Sequence, residues 1–354
     1  MGEKRKMNKT KVLIVSDYAY PAGGIEVCVD EIVSATKELI DYRVLTWPAS
    51  ENTPKRAEVA PTNRINCGDF SQILSEFEWA DLLFLQSSWN TRVLASIVKD
   101  YCQVSNKPLV TVVHTSSNSN SHSGFSNFQE KIFTEIIQLS QIVIGVSDDV
   151  LDSLRSLDVT TINDSFKYRK IENASRFDTS LNKVQERKIV SFVGRPTYVK
   201  GIDLFLDLAK QLQDTNLKFK LNTVSLPPPE EANKISNLGE CQWLLSDEEM
   251  IDFYDATDLL ITPYRNADGL PLTILEALSR QIPIIGFDTP GVSGILHRHN
   301  QLVLASEDVG GLADAVRNWH QGKISLAPPE PTNILTWQEQ AVKYVNLFEE
   351  VLSE

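Results

Sequence analysis

The sequence predicts an α/β protein of two domains, each a parallel sheet with helices on both faces, set around a central cleft. Three observations carry that reading. Short apolar runs rich in β-branched residues alternate with segments of helical period. The alternation fades over the polar stretch Asn173 to Glu186 and then restarts. The chain has 354 residues, which suits two domains of about 150 to 200 residues each.

Lys11-Val-Leu-Ile-Val-Ser16 reads as the first strand, and it runs into the loop Asp17-Tyr-Ala-Tyr-Pro-Ala-Gly23-Gly24. A helix follows, with Val29, Ile32, Val33 and Thr36 on one face. Further strands fit Tyr42–Thr46, Asp81–Leu85, Pro108–His114 and Gln141–Val146. The second half repeats the rhythm with a strand at Lys188–Gly194, a helix near Asp203–Leu212, and strands at Lys218–Thr223, Asp258–Thr262 and Ile282–Gly286. Alternation of this kind gives two Rossmann-like domains with the ligand cleft between them. Beyond Pro328-Pro-Glu-Pro331, a last helix over Trp337–Leu352 carries the apolar stripe Ala341, Tyr344, Val345, Phe348 and Val351. That stripe needs a surface to pack on, and a return to the first domain would supply one. The partition is a basic tail over 1–10, a first domain over 11–180, a second over 187–330 and a C-terminal helical segment over 331–354.

Composition bounds the partners. Hydrophobic residues make up 42% and charged residues 23%, which is ordinary for a globular protein with large cores. A net charge of −13 speaks against nucleic acid as a main partner, since phosphate backbones are held by clustered Lys and Arg. The start is locally basic, with Lys4, Arg5, Lys6, Lys9 and Lys11 against Glu3 alone. It reads either as a solvated tail or as a peripheral contact with anionic lipid at the inner face of the membrane. Cys28, Cys67, Cys102 and Cys241 lie far apart, as expected of reduced thiols in a cytoplasmic protein. No apolar run approaches the roughly 18 to 20 residues a membrane span needs.

The segment Asp268-Gly269-Leu270-Pro271-Leu272-Thr273-Ile-Leu-Glu276 says most about chemistry. It sets two carboxylates across a turn that opens a helix, with Pro271 suited to the first helical turn. Unpaired amides at such a helix start face an anion, and a carboxylate can accept from both hydroxyls of a ribose diol. Gly194-Arg195 ends a strand, and Lys200-Gly201 follows five residues later. These cations are either surface groups beside a turn or donors pointing into the cleft toward a diphosphate. Gly23 and Gly24 before a helix allow close backbone approach to a ligand. His114 closes an apolar strand, where it either faces the cleft or serves the structure. Asp17, Asp148 and Asp149 also sit at strand ends, but Ser147-Asp-Asp precedes the helical run Val150–Leu157, so N-capping accounts for the pair without a metal. Neither a G-x-G-x-x-G nor a P-loop pattern occurs.

Taken in this order, these motifs resemble retaining glycosyltransferases of the GT-B fold, glycosyltransferase family 4. The resemblance runs from about Lys11 to Trp319 and is strongest over Ser191–Gly201 and Asp258–Gly291. It implies that Gly23 and Gly24 lie near the donor sugar and phosphates, and that Arg195 and Lys200 hold the diphosphate. Leu270 to Thr273 would bind phosphate, Glu276 the ribose, Asp268 the transferred sugar, and His114 would stand near sugar and acceptor. The chain departs from the family in three places. Asp268 replaces the usual Glu, Pro290-Gly-Val-Ser-Gly294 lacks the acid of a Gly-Gly-x-x-Glu stretch, and Leu221-Asn-Thr-Val-Ser replaces a glycine-rich strand end.

The expected activity is transfer of a sugar from a UDP- or GDP-sugar to a carbohydrate, lipid-linked or other hydroxyl acceptor, with retention of anomeric configuration and no metal or other cofactor. Two alternatives stand beside it. One is a non-catalytic GT-B protein that binds a nucleotide or glycan or supports a partner; the other is a sugar-nucleotide epimerase.

Overall fold

The computed structural model describes residues 9–16, 23–46, 64–66, 70–87, 93–116, 127–156, 167–179, 186–223, 239–243, 245–266, 269–330 and 334–353. The first unit runs β1 (Thr10–Ser16), α1 (Gly24–Thr36), β2 (Ile40–Thr46), β3 (Arg64–Asn66), α2 (Phe70–Trp79), β4 (Leu82–Ser87), α3 (Val93–Ser105), β5 (Leu109–Val113), α4 (Asn127–Leu139), β6 (Ile142–Gly145), α5 (Asp148–Arg155) and β7 (Tyr168–Lys170). Its seven strands lie in the order β3-β2-β1-β4-β5-β6-β7, every pairing parallel.

The second unit runs β8 (Ile189–Gly194), a 3-10 turn (Tyr198–Lys200), α6 (Ile202–Gln211), β9 (Lys218–Thr223), β10 (Gly239–Trp243), α7 (Asp247–Asp255), β11 (Leu259–Thr262), α8 (Leu272–Ser279), β12 (Ile284–Phe287), α9 (Ser293–Arg298), β13 (Leu302–Leu304) and α10 (Val309–His320). Its six strands are also all parallel, in the order β10-β9-β8-β11-β12-β13. The last helix, α11 (Trp337–Ser353), follows.

The near-continuous apolar strands are explained by burial on both sheet faces. In β1, Val12 and Ile14 join the core under α1, whereas Leu13 and Val15 join a separate core with Ile73, Phe77, Leu94 and Ile132. Alternate side chains thus feed opposite layers, as the two-residue strand period requires. The stripe on α11 packs on the first sheet: Phe348 and Tyr344 meet Phe84 of β4 at ring-centroid distances of 5.0 and 5.5 Å.

The polar stretch after β7 is built into the structure where it begins. Asn173, Ser175 and Phe177 are buried, and the Ser175 amide donates to the Leu335 carbonyl at 3.3 Å. The chain therefore passes between the two sheets twice, side by side. Asn173 Nδ2 donates to the Leu270 carbonyl at 2.9 Å, so this segment also ties down the loop that leads into α8. Among the described residues, no helix is long and apolar enough to cross a membrane. Residues 1–8, which hold most of the basic start, together with Cys67, lie outside the described residues.

Candidate functional site

In each sheet the strand order reverses once, between β1 and β4 and between β8 and β11. Crevices at the carboxyl ends of strands flanking such a reversal are where open parallel sheets bind ligands. The sequence-derived residues fall at the carboxyl ends of strands at or next to these reversals: His114 after β5, the neighbour of β4, Gly194 and Arg195 at the end of β8, and the segment 269–276 after β11.

Gly201 fixes the local geometry in the second unit. It adopts φ +70°, and a Cβ there would stand 2.0 Å from the Pro263 carbonyl oxygen. Only glycine accommodates both the left-handed backbone and the approach. The turn this closes carries Lys200, whose ammonium lies 4.1 Å from the ring centroid of Tyr264. The Tyr264 hydroxyl is in turn 3.0 Å from Thr273 Oγ1, in the first turn of α8. Arg195 is exposed, and among the described residues its side chain makes no ion pair. Pro271 is the N-cap of α8 rather than a residue of its first turn, with φ −65° and ψ 126°. Its extended ψ directs the chain from the Gly269-Leu270 loop into the helix. No side chain caps α8, so the first amides, at Leu272 and Thr273, remain available to an anion.

Glu276 lies one turn further in and is 3% exposed. Arg176 Nε donates to its Oε1 and the Tyr254 hydroxyl donates to its Oε2, each at 2.8 Å. Burial, and then the carboxylate of Glu276 beside it, pushes the Tyr254 phenol far above its ordinary value, so it stays protonated and donates. Arg176 also pairs with Asp247 and stacks on Phe177, its guanidinium 4.6 Å from the ring centroid. Sequence reasoning missed Arg176 and Tyr254. Arg176 lies in the aperiodic stretch treated as a boundary, and only the fold brings it to a residue 100 positions away.

A second carboxyl belongs to this cluster. Glu31 of α1 is raised to about 7 by burial, with Arg176 opposing and Asp247, Asp30 and Glu276 adding to the shift. The folded state therefore binds this proton more tightly than the unfolded chain does. The stability gained is complete below the unfolded value of about 4.5 and is lost as pH rises through about 7. Glu31→Gln should match the parent protein in thermal melts at pH 5 and be more stable at pH 8, by on the order of 2 kcal/mol.

The first unit contributes a facing wall. Gly24, at the start of α1, meets Leu272: a Cβ at Gly24 would lie 3.7 Å from Leu272 Cδ1. Gly23 is the N-cap of α1. His114 is buried, and its Nε2 lies 2.8 Å from Gln86 Oε1. The backbone at His114 touches the second unit, since a Cβ on Gly269 would stand 2.0 Å from the His114 carbonyl oxygen. The helix cap proves to be Ser147, whose hydroxyl accepts from the Val150 amide at 3.3 Å, not the two aspartates after it. Asp148 pairs with Lys170, and Asp149 accepts from the Gly291 amide at 2.7 Å across the cleft.

The structure thus brings together Gly23, Gly24, His114, Lys200, Gly269, Leu270, Pro271, Leu272, Thr273 and Glu276, with Arg195 at the adjoining strand end. Asp268, Asp17 and His122 lie outside the described residues. Among the described residues, no group of three His, Cys, Asp or Glu side chains is placed to hold a metal ion.

Two parallel-sheet units of this order facing one cleft define the GT-B architecture. Residues 187–321 match the family model described as glycosyl transferases group 1. A putative teichuronic acid biosynthesis glycosyltransferase from Bacillus subtilis, TuaC, is 20% identical over 254 residues, covering 70% of this chain and 63% of that protein. Sucrose-phosphate synthase from Thermosynechococcus elongatus superposes with a TM-score of 0.76 at 16% identity, over 98% of this chain and 100% of that one. Anabaena Alr3699/HepE in complex with UDP-glucose gives a TM-score of 0.70 at 16% identity, over 97% and 98% of the two chains. Likeness at this level of identity establishes the fold.

Proposed function

We propose that this protein transfers a sugar from a nucleoside-diphosphate sugar to a hydroxyl acceptor with retention of anomeric configuration. The observation that carries the reading is Tyr264, which joins the Lys200 ammonium to Thr273 at the start of α8. A cation, two open amides and a hydroxyl thereby converge where a departing diphosphate would gather charge. Arg195 and Lys200 stabilise that charge, which removes the need for a metal. Glu276 anchors the ribose: Arg176 and Tyr254 each use one lone-pair site on its two oxygens, and a carboxylate offers about four. Asp268 orients the sugar, and His114 stands beside it. The bond from the anomeric carbon to the diphosphate breaks, the acceptor oxygen bonds to the same carbon, and the acceptor's hydroxyl proton passes to the departing diphosphate oxygen. No side chain is assigned as a covalent nucleophile.

The match to the group 1 glycosyl transferases and the UDP-glucose held by the Anabaena neighbour support a donor of this class. The scattered cysteines and the basic start favour a cytoplasmic setting with peripheral contact at the inner membrane face. Incubation with UDP- and GDP-sugars should release nucleoside diphosphate, and NMR of the product should show the donor's anomeric configuration. Inversion would overturn the retaining step, and absence of turnover with every donor and acceptor tried would favour a binding protein. Lys200→Ala should lower turnover by roughly 100-fold, as loss of one preorganised charge-stabilising group does.

A further inference from the structure

Gln86 stands at the carboxyl end of β4, in register with Ser16 of β1 and Val112 of β5, at the switch point of the first sheet. The four residues before it, Leu82 to Leu85, are apolar and fully buried. Gln86 is buried as well, yet its amide is half used. Oε1 lies 2.8 Å from His114 Nε2, whereas Nε2 has no hydrogen-bond partner. Native interiors rarely keep an unpaired amide donor without a use for it. Because Oε1 only accepts, the ring nitrogen facing it carries the proton.

The pair lies beside the loop entering α8, since the His114 carbonyl packs directly on Gly269. A diphosphate at the start of α8 would carry its sugar toward this wall. Building on the sugar-nucleotide reading above, we infer that Gln86 is a specificity-determining residue whose Nε2 donates a hydrogen bond to a hydroxyl of the transferred sugar. Its Oε1 meanwhile holds the ring of His114 through Nε2. One side chain thus reads the sugar and orients its neighbour.

Two substitutions separate these roles. Gln86→Glu keeps an acceptor against His114 Nε2 but removes the donor; Gln86→Leu removes both at similar volume. Calorimetry would compare UDP with UDP-glucose, and GDP with GDP-mannose, on the parent protein and both variants, with thermal melts as the check on folding. Both variants should bind the bare nucleotide as the parent does and its sugar conjugate about tenfold more weakly, the effect of one lost hydrogen bond in a buried site. Gln86→Glu with the parent's ratio of conjugate to nucleotide affinity would show that the amide only supports His114, overturning the inference alone. Equal loss for nucleotide and conjugate would make Gln86 structural and overturn it too. A parent protein that binds none of the four probes would overturn the sugar-nucleotide reading along with it.

Discussion

Arg176→Met is expected to lower the melting temperature by on the order of 10 °C and to abolish nucleotide binding. The guanidinium and Glu276 are both nearly inaccessible, with 7% and 4% of their side-chain surface exposed. Removing one member of a buried pair leaves the other charged without compensation, which costs about 3–5 kcal/mol. For a domain of this size each kcal/mol moves the transition by about 2–4 °C. Asp247 and Glu31, which share the same cation, would then face Glu276 with no positive charge among them. Raising the pH should therefore deepen the defect, because Glu31 ionises through about 7. Arg176→Lys would keep the charge without the fork that spans Glu276 and Asp247, so partial recovery is expected. Differential scanning calorimetry at pH 5 and pH 8 measures both effects.

Gly201→Ala should be at least as damaging, by a different route. The left-handed φ of +70° costs a Cβ-bearing residue about 1–2 kcal/mol. The new methyl would also sit 2.0 Å from the Pro263 carbonyl oxygen, a backbone atom that cannot rotate away. The turn must shift, and with it Lys200 and the β11 end that leads to Tyr264. Loss of about 4 kcal/mol or more, or failure to fold, is the expected result. Gly24→Ala is the matched control. Its Cβ would make only ordinary contact with Leu272, and alanine suits a helix start better than glycine, so stability should hold. A Gly24 variant that unfolds, or a Gly201 variant that melts normally, would contradict the geometry.

The two-sheet α/β fold was legible because the central parallel strands are buried on both faces and so read as unbroken apolar runs, as Val12–Val15 and Leu82–Leu85 show. The short edge strands β3, β7, β10 and β13 were not. They are three to five residues long and carry too few apolar positions to stand out. At the site, the carboxylates and cations next to glycine and proline were visible because turn chemistry leaves a local signature. Arg176, Tyr254, Tyr264 and Gln86 were not visible in this way. Arg176 lies in a stretch with no period, Tyr254 ends an ordinary amphipathic helix, and Tyr264 looks like the tail of a strand. Gln86 is a single polar residue closing an apolar run, and nothing local marks its partner 28 positions away. Each acquires its role through contacts that only the folded chain creates.

The central claim is that Lys200, Arg195 and the start of α8 form one nucleotide-diphosphate site. A thermal-shift panel of UDP- and GDP-sugars tests it most directly, because a ligand that binds only the folded state raises its stability. The expected result is that at least one donor raises the melting temperature of the parent protein, and that Arg195→Ala/Lys200→Ala abolishes the rise while lowering the unliganded melt by only a few degrees, the effect of losing the Lys200 contact with Tyr264. A panel in which no donor shifts the parent protein, or in which the double variant responds fully, would contradict it.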